Sequence, residues 1–278
     1  MKALRTTIAF GLIASPIFCA DPNPVEIVTR SVVNYQKDSQ EALDFTYTER
    51  DVTKDTSGRP KTTTVSQVTV IDGTPYSRLI AKDGRPLDPD DARSEDEKYR
   101  KVLAERDRET PEQRARRVRK HQEEWKFLSE IPEAFNIKFL GHETVAGRPN
   151  YILELTPRPG YTAKSKFGRV FTSVQGKLWV DEEDLRWTKA EADVIGTVSV
   201  GWILARIGPG AHITIKQVKV DGKHWMPKEL DINGSARILL VKNRSLDETV
   251  SYSDYKRIRP SAGTAAAKNQ EHTDLIAK

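Results

Sequence analysis

The sequence predicts a mainly β chain of the α+β class: an antiparallel meander of about ten or eleven strands, preceded by one helix and interrupted by a charged helical insert. Three observations carry this. Segments that alternate apolar and polar residues follow one another, joined by short turns at Asp72-Gly73, Ala146-Gly147 and Asp221-Gly222; Xaa-Gly steps supply the positive φ angles that tight hairpins require. Strands and helices do not alternate as they would in a parallel sheet. One block, residues 82–126, is crowded with charges of both signs and carries only a thin apolar line.

The elements follow in chain order. Residues 1–20 read as a secretory signal peptide: Lys2 and Arg5, then an apolar run over 8–18 that is too short to span a bilayer, with Pro16 near its end. Cleavage is expected after Cys19 or Ala20; the alternative is a lipoprotein signal with Cys19 as the lipidated residue. Cys19 is the sole cysteine, so a processed chain has neither disulfides nor thiolate chemistry. Losing the two leader cations takes the net charge from +5 to +3. Export argues against nucleic acid as the partner of this excess and favours anionic lipid headgroups.

Residues 21–37 predict a helix capped by Asn23 with Pro24 at its first position. Val25, Val28, Val32 and Tyr35 form its apolar stripe. Strand segments then begin near Leu43 and run in hairpins to about residue 258. In the insert, Asp88-Pro89 opens one helix. Thr110-Pro111-Glu112-Gln113 opens a second with a capping box. A solvated helical hairpin laced with i,i+4 charge pairs is the plain reading of residues 88–129. A partner-binding arm, or a cover over the sheet, is the functional one. Residues 196–210, apolar between glycines, read as a buried short helix or loop, a plug, or a loop dipping into a membrane surface. Residues 260–278 read as a disordered tail.

Enzyme signatures are missing. The five histidines, His121, His142, His212, His224 and His272, have no metal-ligand spacing. No G-x-S-x-G, Walker loop or dinucleotide fingerprint is present. The cluster Asp181, Glu182, Glu183 and Asp184 lacks the spacing of a calcium loop and reads as a solvated turn. The expectation is a non-enzymatic binding protein without cofactor or metal.

One hairpin poses a packing question. In "GKLWVDEEDLRWTKAEADV", simple alternation puts Thr188, Ala190, Ala192 and Val194 on one face and Trp187, Lys189, Glu191 and Asp193 on the other. Alanines stand where a core-facing strand usually carries large residues. Either neighbouring core fills the gap or a ligand does. Other strands show clear apolar faces: Phe135, Ile137 and Phe139; Tyr151, Leu153 and Leu155; Leu178 and Val180; Met226, Leu230 and Ile232.

Taken in order, Gly-x-Leu-Trp-Val-Asp (Gly176, Leu178, Trp179, Val180, Asp181), the preceding "IPEAFNIKFLGHETVAGRPNYILELTPRPGY", the later "WMPK" and the closing "YSDYKR" resemble the bacterial outer-membrane lipoprotein-sorting group, within the LolA/LolB-like periplasmic lipoprotein-carrier superfamily. The resemblance covers roughly residues 22–259. It implies an incomplete antiparallel β-barrel, a half-barrel, whose concave face binds a lipid or lipoprotein acyl chains in the periplasm, possible outer-membrane association included. The residues expected to line that cavity are Phe135, Ile137, Phe139, Tyr151, Leu153, Leu155, Leu178, Val180, Ala190, Ala192, Val194, Trp202, Leu230 and Ile232. Lys164, Lys166, Arg169 and Arg206 are the expected cationic rim. The second reading is an envelope protein-interaction or stress-sensing module of the same fold, with residues 88–128 meeting a protein partner or a membrane surface. The third is a hydrolase on this scaffold.

Overall fold

The structure is a computed structural model that describes residues 22–55, 57–200, 205–238 and 242–258. The expected signal peptide and tail, and Trp202, lie outside the described residues.

Helix α1 (Pro24–Glu41) starts as its sequence dictates, with the Asn23 side chain accepting the amides of Val25 and Glu26. Its buried side is Ile27, Val28, Ser31 and Val32, while Val25 is exposed. The core-facing stripe is therefore rotated by part of a turn from the predicted one. Strands β1 (Phe45–Lys54), β2 (Pro60–Ile71), β3 (Thr74–Lys82) and the two-residue β4 (Arg85–Pro86) follow. Next come α2 (Pro89–Asp107), α3 (Pro111–Glu123) and the short α4 (Ile131–Ala134). The chain then runs through β5 (Phe135–Val145), β6 (Arg148–Pro157), β7 (Val174–Asp181), β8 (Trp187–Val194), β9 (Val198–Val200), β10 (Ala205–Ile207), β11 (His212–Val220), β12 (His224–Ile238) and β13 (Lys242–Arg257).

Eleven strands form one antiparallel sheet in the order β4-β3-β2-β1-β13-β12-β11-β8-β7-β6-β5, and β9 and β10 add to the outer part of β12. The path ends at β4 on one side and β5 on the other, so the sheet is an open half-barrel. Three hairpins turn at the expected steps, with φ of 48° and 82° at Asp72-Gly73, 50° and 80° at Ala146-Gly147, and 47° and 71° at Asp221-Gly222. Residues 196–210 contribute the β9–β10 pair rather than a helix. A further hairpin turn, read from the sequence near Lys242-Asn243, does not fall there: both residues belong to β13, and residues 239–241 lie outside the described residues.

α1 lies in the half-barrel. Ile27, Val28 and Val32 pack with Leu128, Ile131 and Ala134 against Phe135, Leu153, Leu155, Leu178, Val180 and Trp187. Two bulges decide which side chains join them. Trp179 pairs with Lys189 but Val180 pairs with Trp187, so Thr188 is an extra residue and the alternation resets. Trp187 consequently points inward, against the simple alternation. It stacks on Tyr35 at 4.5 Å and donates from Nε1 to Ser31 Oγ at 2.8 Å. Thr188 instead donates to Asn150 Oδ1. In β12 an extra residue, Lys228, sits between the pairs Lys216–Glu229 and Gln217–Pro227. Met226, fully buried, therefore does not share a face with Leu230 and Ile232.

The insert forms its two helices, capped by Asp88 and by the Thr110–Gln113 box. Among the described residues its short-range ion pairs are i,i+3 rather than i,i+4, Arg93–Asp90, Lys98–Glu95, Arg106–Glu109, His121–Glu124 and Lys126–Glu123, and Arg117 reaches back from α3 to Glu109. α2 meets the outward residues of β3, with Tyr99 against Tyr76 at 5.6 Å and Asp96 ion-paired to Arg78. α3 clasps the β2–β3 turn. Arg117 binds the Asp72 carbonyl and Thr74 Oγ1 while holding Glu109, and Val118 lies 3.2 Å from where a Cβ on Gly73 would be. The hairpin thus wraps the β2–β3 end instead of covering the concave face. Among the described residues no helix is long and apolar enough to cross a membrane.

Candidate functional site

Cross-strand partners share a face, so the register maps the concave surface directly. One row runs Gly176, Ala192, Ile213, Ile232, Glu248, Thr53. The next runs Leu178, Ala190, Ile215, Leu230, Val250, Asp51. Ala190, Ala192, Ile213, Ile215, Leu230 and Ile232 are half-buried. The fourteen expected cavity residues divide accordingly. Phe135, Leu153, Leu155, Leu178 and Val180 are buried against α1, with Ile137, Phe139, Tyr151 and Ala190 packed on the same cluster. Val194 belongs to a second cluster with Val198, Ile207 and Ala211. Ala192, Leu230 and Ile232 lie between these clusters on a stripe that α1 leaves only partly covered.

The stripe ends in carboxylates. Asp51 and Glu248 share a hydrogen bond, and Glu49 sits beside them, opposite Tyr252. Burial raises the pKa of all three above the usual carboxylate range, and for Glu248 the neighbouring Asp51 and Glu49 add to the rise. A carboxyl group held this way keeps its proton more tightly when folded than when unfolded. Its stabilising contribution is complete below the unfolded value, about 4, and is lost as pH rises through the folded value. Glu248→Gln should therefore melt higher than wild type at neutral pH, with the gap closing on acidification to about pH 4. A gap of constant size across a pH series of thermal melts would contradict this.

A cleft opens beside the stripe, under the C-terminal half of α1. Its walls include Tyr35, Leu43, Tyr47, Val70, Trp125 and Trp225, and its volume is about 220 Å³. Tyr47 packs on Tyr255 at 5.3 Å, and Tyr255 donates to the Pro227 carbonyl at 2.5 Å. Burial pushes the Tyr35 and Tyr47 hydroxyls up to about 12, so both stay neutral. Gln217 also lines the cleft, and among the described residues its buried Oε1 has no hydrogen-bond donor. Asp38 at the rim is ion-paired to Arg186 at 2.6 Å, but burial outweighs the pair and pushes it up to about 6. A second cavity of about 180 Å³ between α1 and the end of α3 shares Ser39, Leu43, His121 and Trp125 with the cleft.

Alternation and small residues pointed to the stripe. The aromatic cleft was missed, because Tyr35, Tyr47, Trp125 and Trp225 come from four separate segments. Of the expected cationic rim, Lys164, Lys166 and Arg169 are exposed on the β6–β7 connection, with Lys164 paired to Glu133; the Arg206 side chain lies outside the described residues. The acidic turn is no solvated loop at its first residue. Asp181 is fully buried, its carboxylate gripped by Arg148 at 2.5 and 2.8 Å and by the amides of Glu183 and Asp184. Asp184 in turn accepts from Lys219 and from Trp225 Nε1. Among the described residues no group of three or more His, Cys, Asp or Glu is placed to hold a metal ion.

No family model and no curated protein matches the sequence. Among solved structures, the chain is similar to an outer membrane lipoprotein-sorting protein domain from Vibrio parahaemolyticus, with 11% identity, 88% of this chain and 98% of that chain covered, and a TM-score of 0.39. It is also similar to a DUF1329 family protein from Desulfovibrio piger, with 12% identity, 87% and 96% coverage and a TM-score of 0.34. A LolA superfamily protein from Nitrosomonas europaea matches with 12% identity, 85% and 96% coverage and a TM-score of 0.29.

Proposed function

We propose that the chain binds acyl chains of a lipid or lipoprotein in the periplasm, without chemical turnover, as a component of outer-membrane lipoprotein handling. The observation that carries this reading is the half-buried apolar stripe Ala190, Ala192, Ile213, Ile215, Leu230 and Ile232 beside an aromatic-walled cleft. Small side chains at Gly176, Ala190 and Ala192 keep that part of the concave face shallow, and an acyl chain laid along it would be withdrawn from water. Each buried methylene contributes about 0.8 kcal/mol, so a chain segment of roughly eight would contribute about 6 kcal/mol before the costs of ordering. The unsatisfied Gln217 oxygen suits a hydroxyl or amide donor near the head of such a ligand.

Native mass spectrometry of the chain purified from a bacterial periplasm, with organic extraction of whatever accompanies it, tests the reading. A stoichiometric lipid or acylated peptide is expected; a clean apo mass that takes up no added lipid would sink it. Ala192→Leu sharpens the test. On a ligand-holding stripe the substitution leaves melting near wild type and cuts uptake of a fluorescent fatty acid. On a closed core it would instead lower stability by about 1–3 kcal/mol through overpacking.

A further inference from the structure

The β6–β7 connection is cationic by sequence and held in shape by one buried carboxylate. Between Pro157 and Val174 it carries Arg158, Lys164, Lys166 and Arg169 and no acidic residue. Glu130, buried beneath it, accepts from the Tyr161 hydroxyl and from the Lys164 amide at 2.8 Å. Gly168 lies so close over that carboxylate that a Cβ there would sit 2.4 Å from Oε2. Phe171 is buried against Phe135 and stacks on Phe127 at 5.6 Å. The connection is thus anchored from beneath, and the side chains between these anchors are presented outward.

The outward stretch is Lys166-Phe167-Gly168-Arg169. Phe167 is 43% exposed, although its ring also meets Phe127 at 5.9 Å. Lys166 and Arg169 are exposed, and among the described residues neither side chain makes an ion pair or hydrogen bond. The charges around them are engaged. Glu133 pairs with Lys164 at 2.5 Å, Arg158 donates to the Phe135 carbonyl at 3.1 Å, and Glu123 and Lys126, close to Phe127 in the chain, pair with each other at 3.4 Å. Setting the two carboxylates Glu130 and Glu133 against the four cations leaves two positive charges, the number that Lys166 and Arg169 carry. A second exposed apolar side chain stands at the same end of the sheet: Ile195, 48% exposed, whose amide donates to the Ser173 carbonyl at 2.9 Å. The connection also reaches the stripe from within, since Val170 and Val174 pack with Val194, Ala211 and Ile213, and Ile213 belongs to the stripe. An aromatic ring held half out of water between two unpaired cations suits the boundary of an anionic lipid layer, where the ring finds the apolar side and the cations find phosphates.

We infer that the β6–β7 connection docks the protein on a membrane surface of anionic phospholipid, with Phe167 entering the headgroup layer and Lys166 and Arg169 binding its phosphates. This goes beyond the acyl-binding reading and stands without it, because the contact is made by exposed side chains and not by the concave face. A merely solvated loop, the plain alternative, would show no preference for lipid charge.

The test is co-sedimentation of the full chain with phosphatidylcholine vesicles, with and without phosphatidylglycerol, at low and high ionic strength. Binding should be far stronger with phosphatidylglycerol and should weaken at high salt. The double variant Lys166→Gln, Arg169→Gln should bind about thirtyfold less tightly, each cation near an anionic surface contributing roughly a fivefold share. Phe167→Ser, which leaves the charges in place, should weaken binding about fivefold and leave its salt dependence unchanged. The double variant Arg116→Gln, Arg119→Gln removes as many exposed cations from α3 and should change binding by less than about twofold, since α3 does not face the lipid. Equal binding to both kinds of vesicle, no binding to either, undiminished binding by the Lys166, Arg169 variant, or an equal loss in the α3 variant would each overturn the inference. Uptake of monomeric fluorescent fatty acid by the wild type, without vesicles, separates the two readings. Docking without uptake would remove the acyl reading and leave the docking surface standing; uptake without docking would do the reverse.

Discussion

Gly176→Ala should cost the protein about 3 kcal/mol or more. A Cβ at this position would lie 1.9 Å from the Glu191 carbonyl oxygen, 2.8 Å from its carbon and 3.0 Å from Ala192 Cα. All three obstacles are backbone atoms of the paired strand, so no side-chain rotation relieves the contact. The β7–β8 register would have to open where Leu178 faces Ala190 and the α1 core begins. For a domain of this size the loss corresponds to a fall in Tm of roughly 6–12 °C. Gly84→Ala is the contrast: its Cβ meets nothing within 4 Å, and only its φ of 77° opposes the change, a penalty of about 1–2 kcal/mol. Thermal melts of the two variants decide the matter. Gly176→Ala melting alongside Gly84→Ala would show that the strand pair yields where the packing says it cannot.

The second large effect is expected at Arg148. Its guanidinium binds the fully buried Asp181, reaches Glu183 and Asp184 at 3.1 Å each, and lies over the Trp225 ring at 5.8 Å. Those carboxylates hold its pKa well above the usual arginine value. Arg148→Ala leaves the Asp181 carboxylate buried with only amide donors, which should cost about 3–5 kcal/mol at neutral pH. Asp181→Ala should cost less, because Arg148 is 30% exposed and water can take over its solvation. Denaturant titrations of both variants at neutral pH test this. Equal losses would mean that the turn is held by its backbone bonds and not by the charge.

The residues that were misread share a cause. Trp187 and Met226 were assigned to faces by strict alternation, and in each strand a single bulged residue, Thr188 or Lys228, reverses the parity beyond it. Nothing local marks those bulges. Trp187 is drawn inward by Tyr35 and Ser31, on a helix more than a hundred residues away. The β9–β10 pair was hidden for a similar reason: each strand has three residues, and the pairing of β9 with β10 and of β10 with β12 shows only in register. The alanines of β8 were legible as an anomaly. Their neighbours on the stripe, and the Asp51–Glu248 pair that closes it, were not, because the row crosses strands from both ends of the chain.

What the sequence determined by itself is what short-range chemistry decides. Asn23, Asp88 and Thr110 cap helices through amides two or three residues away, and the Xaa-Gly steps set their own φ angles. Period-two alternation marked the strands because one face of each is drier than the other. Tertiary structure decided the rest. It settled that α1 occupies part of the half-barrel, that the helices of the insert clasp the β2–β3 turn while its end, from His121 to Leu128, joins the cleft and the core, and that four distant aromatics enclose a cleft. These depend on which surfaces meet once the sheet has curled, and burial free energy is a property of the meeting surfaces together, so no one segment encodes it.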